Sequence, residues 1–149
     1  MKIDTILFHI EDFIYKGAAE GAKELALAVQ EQAKQNLRTG VQSKGGTWTG
    51  RLSNAILVKS GGKNRWDIIV DTSRAPYAEW IEAGRDADAI PYSTKNPTKA
   101  KGYKTSTFGG YWYLTNALKQ YSGKDGKDII MFNIFKAIVN KQNLSKLAI

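Results

Sequence analysis

The residues with the greatest chemical capacity in this chain fall in Pro76-Tyr77-Ala78-Glu79-Trp80-Ile81-Glu82-Ala83-Gly84, with Asp86 and Asp88 just beyond. Carboxylates gathered this closely have two common uses: holding a hard divalent cation, or sharing general-acid and general-base work. A cation needs several oxygens converging on one point, and these four acids lack the periodic spacing of a dedicated binding loop. A glycosidase-like pair needs one acid walled by apolar groups, and none of the four is singled out in that way. His9, the sole histidine, lies between Phe8 and Ile10. Packing or capping is its expected role, because a nucleophilic triad or a zinc site needs further partners. The absence of cysteine removes thiol nucleophiles, disulfides and cysteine–zinc chemistry. There is also no Gly-x-x-x-x-Gly-Lys-Ser/Thr run to cradle phosphates. The acidic segment therefore reads as structural or docking, with no enzyme activity, metal or cofactor expected. A small hydrolase or nuclease using Glu79, Glu82 and Asp86 with Mg²⁺ is the residual catalytic reading.

Length and composition bound the frame that positions this segment. A chain of 149 residues with 42% hydrophobic residues and four tryptophans can build one genuine core, so residues 1–149 are expected to form a single domain. The start of the chain lacks the basic head and long apolar run of a secretion signal, and no stretch approaches the ~20 apolar residues that span a bilayer. The expectation is a soluble protein assembled inside a cell, without a membrane partner.

Periodicity supplies the elements. Ile3, Ile6, Leu7, Ile10, Phe13 and Ile14 fall at helical spacing, and Gly17 is expected to interrupt or bend that pattern. Ala22, Leu25, Ala26, Val29, Ala33 and Leu37 form one stripe of a long helix over 18–37, which Gly40 should stop. Residues 51–56 suit one or two helical turns, with Thr49 as the cap and Leu52, Ala55 and Ile56 facing inward. Residues 56–59 and 66–71 read as strands of an antiparallel hairpin, with Trp66, Ile68 and Val70 sharing a face. Residues 77–83 read as a third strand or a helical turn. As a strand they would place Ala78, Trp80 and Glu82 on one side. Tyr113, Leu114, Ala117, Leu118 and Tyr121 fit a short helix, which 123–126 should break. A last helix over 127–147 carries apolar residues well beyond one stripe, so burial on two sides is expected, within the fold or against another subunit. The fold class is α+β: a small antiparallel sheet packed against a long N-terminal helix and C-terminal helices, with a long central loop over 84–110.

Charge is unevenly placed. Residues 1–90 hold twelve Lys/Arg against twelve Asp/Glu, whereas 91–149 hold ten lysines against two aspartates, which accounts for the whole net charge of +8. Lysine offers a hydrated point charge, and arginine's fork is the usual reader of base edges. A solvated lysine surface therefore stands beside a steering patch for nucleic acid or an acidic protein. Within the central loop, Tyr92, Lys95, Lys99, Lys101, Tyr103 and Lys104 suit an arm that orders against a partner, or a disordered insertion.

Two spaced elements resemble the small tail-completion or head–tail joining proteins of long-tailed bacteriophages and prophages. Thr49-Gly50-Arg51-Leu52-Ser53-Asn54-Ala55-Ile56 matches that family's Thr-Gly-x-Leu-x-x-Ser-Ile, with Ala55 in place of the usual serine. About twenty residues later, Tyr77-Ala78-Glu79-Trp80-Ile81-Glu82-Ala83-Gly84 matches Tyr-Ala-x-(aromatic)-(aliphatic)-Glu-(apolar)-Gly. The resemblance covers about 18–122, the family's common core, and residues 123–149 form a helical extension beyond it; Gly-Gly-Thr-Trp precedes the first element where the family has Pro-Val-Asp or similar, and Arg85 stands where Thr often follows the glycine.

The resemblance implies a noncatalytic virion protein of the tail or neck, present in host cytoplasm during assembly. It implies self-association into a ring, of which a hexamer is one form, and contact with neck, connector or tail-tube proteins. It also implies that Gly50 starts a helix where space is tight and that Leu52 and Ile56 pin that turn to the sheet. Glu82 would accept bonds from backbone N–H groups or from Arg51. Tyr77, Ala78, Trp80 and Gly84 join these as scaffold or interface residues, and the lysine-rich half would make nonspecific DNA contact. The alternative is a basic nucleic-acid-binding protein of a mobile element.

Overall fold

The computed structural model describes residues 3–45, 48–84 and 109–140, with side chains from residue 9 onward. One helix, α1 (Ile3–Ser43), dominates it, and at 41 residues it extends about 60 Å. Phe13, Ala26, Val29, Ala33 and Leu37 are buried along its inner stripe, as the spacing requires. Neither glycine ends or interrupts it. Gly17 and Gly21 lie against the backbone at Ile134 and Ile130, where a Cβ on Gly17 would stand 2.5 Å from the Ile134 Cα. Gly40 lies under the Tyr111 ring. A glycine inside a helix costs about 1 kcal/mol relative to alanine, and close packing of a second element offsets it.

Two short elements follow. α2 (Arg51–Ala55) leads directly into β1 (Ile56–Gly62), which pairs antiparallel with β2 (Arg65–Val70) from Ile56↔Val70 to Gly62↔Arg65. The register slips between Ser60 and Gly62, and the turn closes with Asn64 at φ 59°, a left-handed conformation that asparagine tolerates. Among the described residues the sheet has these two strands, and of the strand and helical-turn readings of 77–83 the helical turn holds. That segment is helix α3 (Ala78–Ala83), with Ile81 N–H donating to Tyr77 O at 3.1 Å and Gly84 N–H to Trp80 O at 2.8 Å. Alternation of Ala78, Trp80 and Glu82 across a pleat therefore does not apply.

α4 (Tyr113–Tyr121) and α5 (Lys124–Val139) complete the fold. The break between them lies at 122–123. Gly126 does not break the chain but sits buried inside α5, where the Tyr121 carbonyl leaves no room for a side chain. α5 thus starts three residues before the expected 127, and its expected end at 147 lies outside the described residues. The architecture is α+β: a two-stranded antiparallel sheet and α4 and α5 packed on the long α1. The core joins Val29, Ala33 and Leu37 of α1 to Leu52, Ala55, Ile56, Ala75, Ala78, Tyr113 and Ala117. The small side chains among these let backbones approach closely. Among the described residues, no helix is long and apolar enough to cross a membrane.

Candidate functional site

The two sequence elements meet in the core. Leu52 is 6% exposed, Ile56 1% and Ala78 3%, and all three belong to one buried cluster with Ala55 and Ala75. Backbone bonds draw the intervening chain tight. Asp71 N–H donates to Ala55 O at 2.8 Å, and Ala75 N–H to Asp71 O at 3.0 Å. Asp71 builds the turn between them, its Oδ1 accepting the Ser73 hydroxyl at 2.5 Å and the Ser73 N–H at 3.1 Å. The Ser73 hydroxyl bond, the turn's backbone N–H groups and the Arg74 guanidinium at 3.2 Å hold the Asp71 carboxyl below its ordinary range.

Gly50 and Thr49 start α2, but not as the sequence suggests. Gly50 occupies the cap with φ 71°, and no side chain caps the helix there. Thr49 Oγ1 lies 3.5 Å from the Arg51 N–H, too long for a strong cap bond. A Cβ on Gly50 would meet nothing nearer than 4.0 Å, so the position needs glycine for its left-handed backbone and not for space. Arg51 is not a partner of Glu82. Its Nε donates to the Arg74 carbonyl at 2.8 Å, tying α2 to the turn before α3.

Glu82 has a different and more specific task. Its Oε2 accepts the Leu114 N–H at 2.9 Å and its Oε1 the Thr115 N–H at 2.8 Å. These are the second and third N–H groups of α4, which an N-cap side chain ordinarily satisfies. The residue at that cap is Trp112, whose own side chain makes no cap bond and whose φ of 52° is left-handed. A carboxylate from another helix supplies the missing acceptors, and its charge suits the positive end of α4. Two backbone bonds fix the approach: Tyr111 N–H to Ile81 O at 2.8 Å and Trp112 N–H to Glu82 O at 2.9 Å. Gly110, at φ 73°, passes so close to the Glu82 carbonyl and Gly84 that a Cβ would collide with backbone. Gly84 and Gly110 therefore lie side by side.

Tyr113 lies directly under the capped end and is 1% exposed. Burial, and secondarily the Glu82 charge, push its phenol up to about 12. Asn36 Nδ2 donates to the Tyr113 carbonyl at 3.2 Å and Gln30 Nε2 to the Ile56 carbonyl at 2.6 Å, so α1 anchors both α4 and β1. Tyr77 is half-buried against the cluster, Trp80 is half-buried, and Glu79 is exposed.

Chemically, this arrangement holds a scaffold together. Among the described residues, no three His, Asp or Glu side chains gather to hold a metal ion. His9 packs its ring against Phe13 at 6.3 Å. Asp86, Asp88, Tyr92, Lys95, Lys99, Lys101, Tyr103 and Lys104 lie outside the described residues. One feature had no signal in the sequence. A groove of about 530 Å³ runs between α1, β2 and α4, lined by Leu25, Val29, Trp66, Ile68, Leu118 and Tyr121. Lys23 Nζ stands over the Trp66 ring, 5.5 Å from its centre. Comparison of the chain with protein-family models, curated proteins and solved structures gave no match.

Proposed function

We propose that this protein is a noncatalytic joining protein of a long-tailed bacteriophage particle, completing the tail or joining it to the head. It works as a ring-shaped adaptor at the head-proximal end of the tail or at the neck. One observation carries the reading: both elements of the resemblance are used up in building a single scaffold. Leu52, Ala55, Ile56 and Ala78 share its buried cluster, and the carboxylate of Glu82 is occupied by the N-terminus of α4. Each oxygen of that carboxylate accepts a helix N–H, which is the use a cap makes of an acid.

The segment 85–108 begins and ends at adjoining points of that scaffold, and reaching a neighbouring subunit is the role proposed for it. Ring subunits need such head-to-tail contacts. Its lysines, Lys95, Lys99, Lys101 and Lys104, would face an acidic partner ring or the DNA passage. Ring formation can depend on the partner, so an isolated monomer is compatible with this function.

Electron microscopy of particles made without this protein provides the test. Filled heads and complete tails that remain separate are expected. Normally joined particles would refute the proposal. Neutralising the four lysines should lower particle yield or DNA retention. If particles form normally while the purified protein binds DNA with steep salt dependence, the nucleic-acid reading replaces it.

A further inference from the structure

α1 runs on past the helix that covers it. Gly17 stands against the Ile134 backbone and Gly21 against that of Ile130, so four residues along α1 answer four residues back along α5. The two helices are antiparallel, and the same register sets Val139, the last residue of α5, level with Asp12. Asn140, with ψ 131°, is extended and ends the helix. α1 continues to Ile3, and its apolar positions continue with it: Ile3, Ile6 and Ile10 share a helical stripe with Phe13, Gly17 and Gly21. Shielding also runs on. Phe13, level with Ile138, is fully buried, and Ile10 and His9, which stand beyond the level of Val139, are half-buried.

We infer that residues 141–149 complete this interface, docking Leu144, Leu147 and Ile149 on the α1 stripe at Ile3, Ile6 and Ile10. Continuity is the first reason. The stripe extends the contact that α5 already makes, and residues 141–149 follow α5 directly, at the level where α1 is left without it. Length is the second. Residues 141–149 span about 13 Å as a helix and about 30 Å extended, while Ile10 to Ile3 measures about 10 Å, so either form covers the stripe. Charge is the third. Asp4 and Glu11 flank the stripe, whereas 141–149 carry Lys141 and Lys146 and no acid, so the two segments attract. Residues 3–10 and 141–149 are thereby held together although they lie at opposite extremes of the sequence. The contact stands on α1 and α5 and not on the tail-joining reading.

The chain has no cysteine, so an engineered pair reports the contact without competition. In the full chain, Leu144→Cys is combined with Ile6→Cys or with Phe132→Cys and oxidised mildly, a disulfide needing Cα atoms within about 7 Å. Mass spectrometry should find the Ile6 pair closed within one chain in most molecules and the Phe132 pair still reduced. A second measurement does not depend on the register of the pair. Leu144→Asp in the full chain should speed amide exchange across residues 6–12 by about tenfold or more and leave residues 26–37 unchanged. An Ile6 pair that stays reduced would overturn the proposal, as would unchanged exchange in residues 6–12. Closure between two chains would assign the α1 stripe to a second copy, and closure with Phe132 would assign the segment to the outer face of α5; either would overturn it too.

Discussion

Glu82 and Thr115 stand 33 residues apart in the chain, yet the Glu82 Oε1 accepts the Thr115 backbone N–H at 2.8 Å. With the Leu114 N–H on its other oxygen, this one carboxylate closes the start of α4 and fixes the point where the chain returns to its core. Glu82, one of the three acids that a Mg²⁺-dependent hydrolase would use, is therefore a helix cap. Glu82→Ala should destabilise the protein by about 1–2 kcal/mol, the range for losing a helix cap. Glu82→Gln keeps one acceptor oxygen but loses the charge at the helix end and leaves the other N–H facing an amide donor, a cost of about 0.5–1.5 kcal/mol that stays below that of Glu82→Ala. Urea unfolding of the two variants checks the order. Equal stability of both variants and the parent would remove Glu82 from its assigned role.

Gly17 makes the opposite prediction from the one its helical position suggests. At an exposed mid-helix site, Gly→Ala would stabilise by about 1 kcal/mol. Here the new Cβ would stand 2.5 Å from the Ile134 Cα and 2.8 Å from the Asn133 carbonyl oxygen. Since backbone cannot rotate away, Gly17→Ala should destabilise by roughly 1–3 kcal/mol, as overpacking does. A rise in the thermal midpoint would show that α1 and α5 do not pack as described.

Tyr113 gives a pH signature. Its folded phenol titrates at about 12, above the ordinary value of 10.0, so the folded state retains a proton that the unfolded chain has released. Stability from this group is complete below about pH 10 and falls as pH rises toward 12. Tyr113→Phe should flatten that part of the profile. Glu82→Gln should lower the phenol's value, because it removes the secondary charge effect while leaving burial in place. Ultraviolet titration of tyrosinate follows both.

Much of this scaffold was legible in the residues. The alanine-rich stripe of α1, the hairpin and the amphipathic α4 follow from local periodicity, which their own side chains carry. Residues 77–83 are ambiguous because seven residues of mixed aromatic, aliphatic, small and acidic type satisfy both a pleat and a helical turn. Gly17 and Gly40 were misread for a different reason. Their local penalty is real, but Ile134 and Tyr111 arrive from distant sequence to fill the space a side chain would need. The bonds of Glu82 were legible only as a class. That it would accept backbone N–H groups could be expected, whereas which ones depended on Gly110 bringing α4 beside α3. Arg51 failed as its partner because the Arg74 carbonyl lies nearer in the folded turn. The exposure of Met131, Phe132 and Phe135 on α5 follows the same rule: the sequence shows excess apolar width, and only packing decides which side is left open.

Joining heads to tails in a cell-free extract tests the central claim most directly. Purified protein is added in graded amounts to heads and tails made without it, and joined particles are counted by electron microscopy. Joining should rise in proportion to protein added, saturate at a fixed number of copies per particle, and leave those copies in the product. Joining by trace amounts of protein that is absent from finished particles would mean catalysis and contradict it, as would no joining at any amount.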